Sequence, residues 1–353
     1  MSSIQWVQLL PATQLVCGTI SIVVNSFLAL LIVTKSPKEM GSYKWLLFYT
    51  TVFECFYTLV NFFGGPSIHT YGSAFVAFLN TDDSFFGEQA DEFCLYTYCS
   101  CFGFSMALFS AHFIYRYGAM DHLFYYKYLK GPKQLALYIF PIISGGLWGL
   151  VCWIFLGETV DKSEYLRNTM LEHYGLNIDR CVYVSARFWL ETENGSLYPD
   201  VSAFFAIFLV WIILSSSLSS VLYFGYNCYR WVSEMIGSLT TLSQAAKSLQ
   251  NQLFYALLVQ SVLPLLLMYL PTGIVFIFPT LNIHLNINYG FIGLTIAIYP
   301  AIDPFPTIFI IRTYREDGLN ILHRLFLCRK TSQVSSEQSA TINPRSVVST
   351  ICT

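Results

Sequence analysis

Charge is what this sequence has least of. Of 353 residues, 11% are Asp, Glu, Lys or Arg, where a soluble domain carries about 25%. With 55% hydrophobic and 17% aromatic residues, the composition is that of a membrane protein. Catalytic signatures are missing too: there is no HExxH, GxSxG, Walker loop, GxGxxG or paired CxxC, and the six histidines are scattered. Catalysis, a metal or a cofactor therefore has no foothold, and a non-enzyme that does not bind nucleic acid is expected. No internal repeat is visible, which leaves an inverted-repeat transporter little support. No polar linker points to a second folded domain. The amino end lacks the basic region and small-residue cleavage site of a signal peptide, so its apolar run is expected to stay as the first membrane helix. The ten cysteines do not make a secreted disulfide framework, because Cys17, Cys55, Cys99, Cys101 and Cys152 lie inside apolar runs. There a thiol behaves as a small hydrophobe.

What is present is a set of seven apolar runs of spanning length, near 7–34, 45–63, 93–117, 135–157, 201–228, 252–278 and 289–311. These predict an all-α bundle of seven transmembrane helices. The third run, Phe93–Tyr117, carries no charge before Arg116. As a helix it would reach roughly 37 Å, more than the hydrocarbon core of ~30 Å. Gly103, Ala107 and Ala111 recur every four residues. That stripe lets neighbouring helices approach closely, as a central helix requires.

The basic residues are unevenly spread. Fifteen of 19 fall in loops 35–44, 118–133 and 229–250, at Arg116, or in the tail. Loop 64–92 has five acids and no base. The basic side is expected to be cytoplasmic, with the N-terminus outside and the C-terminus inside. The single Asn-x-Ser/Thr sequon, at Asn194, falls in loop 158–200 on the expected outer side, where glycosylation is chemically open to it. Residues 1–314 would form the transmembrane domain and 315–353 a cytoplasmic tail.

Two carboxylates sit inside the spans, Glu54 in the second and Asp303 in the seventh, and Asn25 in the first can join them. A mid-membrane carboxylate costs about 2.5–3.5 kcal/mol, so each acid should face the bundle interior. Two readings stand side by side: a cluster, with a water or cation, that rearranges on activation, or isolated interhelical hydrogen bonds. Pro264 and Pro271 in the sixth span, and Pro300, Pro304 and Pro306 in the seventh, remove backbone donors. Hinges and static kinks are both open readings for them. Arg116, between Tyr115 and Tyr117, either ties helices together and meets a cytoplasmic partner, or is an interfacial anchor in an aromatic belt. Cys94 and Cys181 are the cysteines nearest the outer face; a disulfide would pin the long loop over the third helix, and two free thiols are the alternative. After the last span, Leu319, Leu322 and Phe326 share a helical face, which suits a short helix lying on the membrane. Cys328, beside Arg329 and Lys330, is a candidate for palmitoylation.

The stretch VNSFLALLIVTKSPKEMGSYKWLLFYTTVFECFYTLV, then HFIYRYGAM, then YPAIDPFPTIFIIRTYRE, resembles the nematode Str-type seven-transmembrane chemoreceptors. The similarity runs over most of the chain, and the last segment is its most specific part. It implies a G-protein-coupled receptor for small, often volatile molecules in the plasma membrane of sensory cilia, and it lends weight to Arg116, Glu54 and Asp303. The usual rhodopsin-like signatures differ: no acid precedes Arg116, and no NPxxY follows Asp303-Pro304. The expected partners are a small odorant-like molecule, a heterotrimeric G protein and the lipid bilayer. A seven-span ligand-gated channel, with the opposite orientation, and a small-solute transporter are the rivals.

Overall fold

The computed structural model describes residues 3–84, 86–237, 244–283 and 290–324. Seven helices in it are long and apolar enough to cross a membrane: Gln8–Lys35, Tyr43–Gly64, Glu88–Met120, Gly131–Phe155, Val201–Glu234, Ala246–Thr280 and Gly290–Ile310. They match the seven expected spans in order. The third and seventh bury 61% of their most apolar stretch inside the protein, while the first, fifth and sixth bury 22–28%. The third span is therefore central, and the outer spans turn side chains such as Val23 and Leu222 away from the core.

The small-residue stripe does what its spacing predicts. A Cβ added at Gly103 would come within 2.8 Å of the Trp148 side chain. From the fourth span, a Cβ at Gly145 would come within 2.8 Å of the Ser100 carbonyl. Ser144 closes the contact by donating to the Gly103 carbonyl at 3.0 Å.

Loops 64–92 and 158–200 are folded rather than irregular. Strands β1 (Ser67–Tyr71), β2 (Ala74–Asn80) and β3 (Cys181–Arg187) form an antiparallel sheet in the order β1-β2-β3. Gly72, at φ +55°, makes the tight β1–β2 turn. The strands alternate with period two. Phe75, Val182, Val184 and Ala186 join the main bundle core. Val76, Phe78, Cys181 and Tyr183 face the other way, onto Leu166 and Met170 of a helix, Val160–Tyr174. Thr159 caps that helix at its start and Gly175, in the left-handed conformation, at its end. Lys162 folds back so that its ammonium donates to the Phe155 and Gly157 carbonyls at 3.3 and 2.9 Å. That satisfies orphan acceptors at the end of the fourth span. A short hairpin, β4 (Trp189–Glu191) and β5 (Leu197–Pro199), completes this end. Trp189 Nε1 ties it to the sixth span through the Thr280 carbonyl at 3.0 Å.

Of the two readings left open for Cys94 and Cys181, the structure has free thiols and no disulfide. Their surroundings explain it. Cys94 faces the second span, where a Cβ added at Gly64 would collide with its own Cβ. The Cys181 thiol points into the layer beyond the sheet, 3.5 Å from the Asn177 carbonyl.

At the opposite end the seventh span's helix is interrupted at Ile311 and resumes over 312–324. Its Gly318 packs against Phe27 and Leu31 of the first span, and Leu319 and Leu322 are exposed. Phe326 and Cys328 lie outside the described residues.

Candidate functional site

Two interior sites lie one behind the other along the bundle. Beneath the sheet is a cavity of about 70 Å³, lined from β1, β2, β3 and the third to seventh spans. Its walls are Ile68, Phe75, Phe102, Trp148, Val275, Phe276 and similar groups, and no charged residue lines it. The polar side chains on its walls are Tyr98, Cys99, Trp148, Cys152 and Thr272.

On the far side of this cavity the interior changes character. Glu54 accepts from the Tyr299 hydroxyl at 2.9 Å. Asp303 accepts from Gln260 Nε2 at 3.1 Å, and the same amide reaches the Asp303 carbonyl at 3.0 Å. Gln260 Oε1 in turn accepts from Thr307 at 3.1 Å. These bonds join the second, sixth and seventh spans. Asn25, Glu54, His112, Gln260 and Asp303 surround a space of about 10 Å³, roughly the size of one water. Asn25, Glu54 and Asp303 are thus brought together, as the insertion cost of an isolated carboxylate requires.

Asn25 acts through a proline. Pro304 has no N–H, which leaves the Pro300 carbonyl without its helical partner. Ser21 Oγ and Asn25 Nδ2 donate to that carbonyl instead, at 3.0 and 3.2 Å. Ser21 also bonds Thr58 at 2.7 Å, so three spans meet at one bent turn. Pro264 ends one helix of the sixth span and Pro271 opens the next. Between them Leu265–Tyr269 is a π-helical segment. Tyr269, at its end, bonds Ser105 of the third span at 2.5 Å. The four prolines therefore coincide with real interruptions.

Arg116 is not an interfacial anchor. It is 1% exposed, the largest fully buried side chain among the described residues. Its guanidinium lies over the Tyr43 ring at 5.3 Å. Nη2 donates to the Gln250 carbonyl and Oε1 at 3.1 and 2.5 Å, joining the third span to the sixth. Among the described residues no carboxylate pairs with it, consistent with Tyr115 standing where an acid would precede it. Tyr115 bonds Ser42 at 2.9 Å and stacks on Tyr43. Tyr117 donates to Asp121 at 3.0 Å, and Asp121 caps the turn that follows the span. One turn above Arg116, His112 bonds Thr50 at 2.6 Å and Tyr43 at 3.1 Å, linking the Arg116 layer to the carboxylate layer.

His112, Gln250, Gln260 and Tyr299 were not among the residues expected from the sequence. His112 and Gln260 were readable by the rule that picked out Glu54, since each is a strong polar group well inside an apolar run. Asn194 is exposed in the β4–β5 turn, at the end of the bundle that carries the sheet.

The geometry has close relatives. Residues 11–317 match the family described as Serpentine type 7TM GPCR chemoreceptor Str. The chain is 31% identical over 339 residues to the G-protein coupled receptor str-217 of Caenorhabditis elegans, covering 94% of this chain and 97% of that one. It is 28% identical over 342 residues to Serpentine receptor class r-10 of the same organism, covering 97% of each. In fold it resembles squid rhodopsin, with a TM-score of 0.64 at 12% identity over 98% of this chain and 94% of that one. Seven spans and this match over nearly its whole length place the chain in the Serpentine type 7TM GPCR chemoreceptor Str family, as a G-protein-coupled chemosensory receptor and a multi-pass membrane protein.

Proposed function

We propose that the ligand binds in the cavity beneath the sheet, and that its binding is read at the other end as a change in the Arg116–Gln250 contact. In this reading the sheet faces outside and Arg116 the cytoplasm, the orientation that the basic loops call for. The bent turn at Pro300–Pro304 and the π segment at Leu265–Tyr269 lie between the two sites, and both are interrupted helix, where two arrangements cost least. A heterotrimeric G protein would meet the inner face formed by 118–133, where Leu123 is 85% exposed beside Lys127, Lys130 and Lys133. The plasma membrane of sensory cilia is the proposed location, with a glycan on Asn194. Residues 315–353 would form the cytoplasmic tail.

The observation that carries this reading is a buried arginine held to the sixth span by an amide rather than by an acid. A ligand can shift the equilibrium only by its difference in affinity between the two arrangements. Neutral acceptors keep the resting contact weak enough for a small ligand to bias, since a full switch from mostly off to mostly on needs about 5.5 kcal/mol. Arg116→Ala should abolish ligand-evoked signalling in a cyclic-nucleotide or calcium assay while surface expression persists. Unchanged signalling would remove Arg116 from the mechanism.

A further inference from the structure

The lipid-facing side of the bundle is not smooth. Between the fifth and sixth spans runs a groove of about 400 Å³. Its rim is exposed: Leu222 and Tyr226 on the fifth span, Leu258, Val262 and Leu265 on the sixth. Its floor is the third span, where Met106, Phe109 and Phe113 are buried. All of these lie within the membrane-spanning helices, so the groove meets hydrocarbon. Left empty it would forfeit dispersion contacts along both walls, and no water enters hydrocarbon to fill it.

The shape of the groove selects its occupant. The sixth span lines it from Phe254 to Tyr269, which is roughly 22 Å of helix. By the measure of benzene in a void of about 150 Å³, about 16 heavy atoms fit. Strung over that length they advance about 1.4 Å each, near the ~1.5 Å bond of a carbon chain. Fused rings, which put two or more atoms abreast, are too wide. The polar groups along the groove are already engaged: Ser261 donates to the Leu257 carbonyl at 2.8 Å, and the Tyr269 hydroxyl bonds Ser105 at 2.5 Å. At the end nearer Arg116, Tyr226 and Tyr229 are exposed and Arg230 follows them, the composition of a headgroup boundary.

We infer that this groove is a lipid site: it takes one acyl chain of a bilayer phospholipid, with the headgroup at the Tyr226–Tyr229 end and the chain terminus at Leu265–Tyr269. The site is distinct from the cavity beneath the sheet and adjoins it. Tyr269 lines the groove, and its ring lies 5.9 Å from that of Phe102 in the cavity wall. An acyl chain there touches the π segment from the lipid side, so the bilayer itself bears on the part of the sixth span that Tyr269 fastens to Ser105.

The test is photocrosslinking of the purified full chain in lipid discs, using phosphatidylcholine with a diazirine on a palmitoyl chain and mapping the label by mass spectrometry. Label on 218–229 and 254–269 should saturate as the probe fraction rises, whereas label at the exposed Ile154 of the fourth span should rise in proportion. A diazirine near the headgroup should mark Tyr226, Tyr229 and Phe254, and one near the chain terminus should mark Leu265 to Tyr269. Unlabelled dipalmitoyl phosphatidylcholine should compete for the groove and cholesterol should not. Val262→Trp and Leu218→Trp fill the groove from opposite walls, and each should weaken labelling about 5- to 100-fold, the cost of overpacking. Ile154→Trp, away from the groove, should leave it unchanged. The saturation and competition measurements need no variant. Groove labelling in proportion to the probe, a reversed order of the two diazirines, stronger displacement by cholesterol, or undiminished labelling in both groove variants would each overturn the inference.

Discussion

The two interior sites of this receptor are built on opposite principles. The cavity beneath the sheet is held by shape: aromatic and aliphatic walls, with no charged residue among them. The spine beyond it is held by direction, as Glu54, Gln260, Asp303, Asn25 and His112 each make bonds of defined geometry to another span. Apolar contact falls off gradually as a wall moves, whereas a hydrogen bond is largely lost once its angle or distance slips. A site of the first kind can accept a range of small shapes, and a site of the second kind has few arrangements to choose among. The difference suits a detector coupled to a switch.

That contrast can be broken from either side. The largest effect is expected at the cavity's foundation. Gly149→Leu would drive a side chain into Ser100, whose Oγ an added Cβ would already overlap. Overpacking of this kind typically costs about 1–3 kcal/mol or more, so surface expression should collapse. Gln260→Leu strips Asp303 and Thr307 of a shared partner and should destabilise the purified receptor by about 1–3 kcal/mol, the cost of leaving a buried polar group unmet. An unchanged melting temperature would show that the spine is not held by those bonds.

A smaller effect is expected where the sheet meets its helix. His69 is buried between Thr169, 3.1 Å from Nε2, and the Tyr174 hydroxyl, 3.2 Å from Nδ1, with the His173 ring 5.4 Å away. Burial, and then His173, push its pKa down from 6.5 to about 4. The unfolded chain therefore takes the proton first, so stability should be level above pH 6.5, fall as pH drops from there to about 4, and level off below. His69→Gln should flatten that part of the melting profile relative to wild type. A parallel profile in the variant would show that acid acts elsewhere. The sheet end should loosen and the spine should not, which amide exchange resolves element by element.

The seven spans were legible in the sequence because lipid enforces them: about twenty apolar residues in a row have few other uses. Glu54, Asp303 and Asn25 were legible for the related reason that a polar group in hydrocarbon must find a partner. Which partner it finds was not. Nothing local to Pro300 says that Ser21 and Asn25, from the far end of the chain, will serve its carbonyl. Arg116 was readable as a terminus but not as a buried residue, because its depth depends on Tyr43 and Gln250 packing over it. The sheet was missed because β2 is covered on both faces, so Ala74 to Phe78 reads as a short apolar run without alternation, and the acids and turn residues around it read as loop. Whether Cys94 and Cys181 pair was not legible, because sequence spacing does not carry side-chain direction: Cys94 faces Gly64 and Cys181 faces Asn177.

Both site assignments depend on which way the bundle faces, since the proposed ligand must reach the cavity from outside and the G protein must reach the Arg116 end from the cytoplasm. Epitope tags at the two ends of the full chain, stained in intact and then in permeabilised cells, measure this directly. The amino-terminal tag should stain in intact cells and the carboxyl-terminal tag only after permeabilisation. The reverse pattern would put the sheet in the cytoplasm and contradict the assignment of both sites.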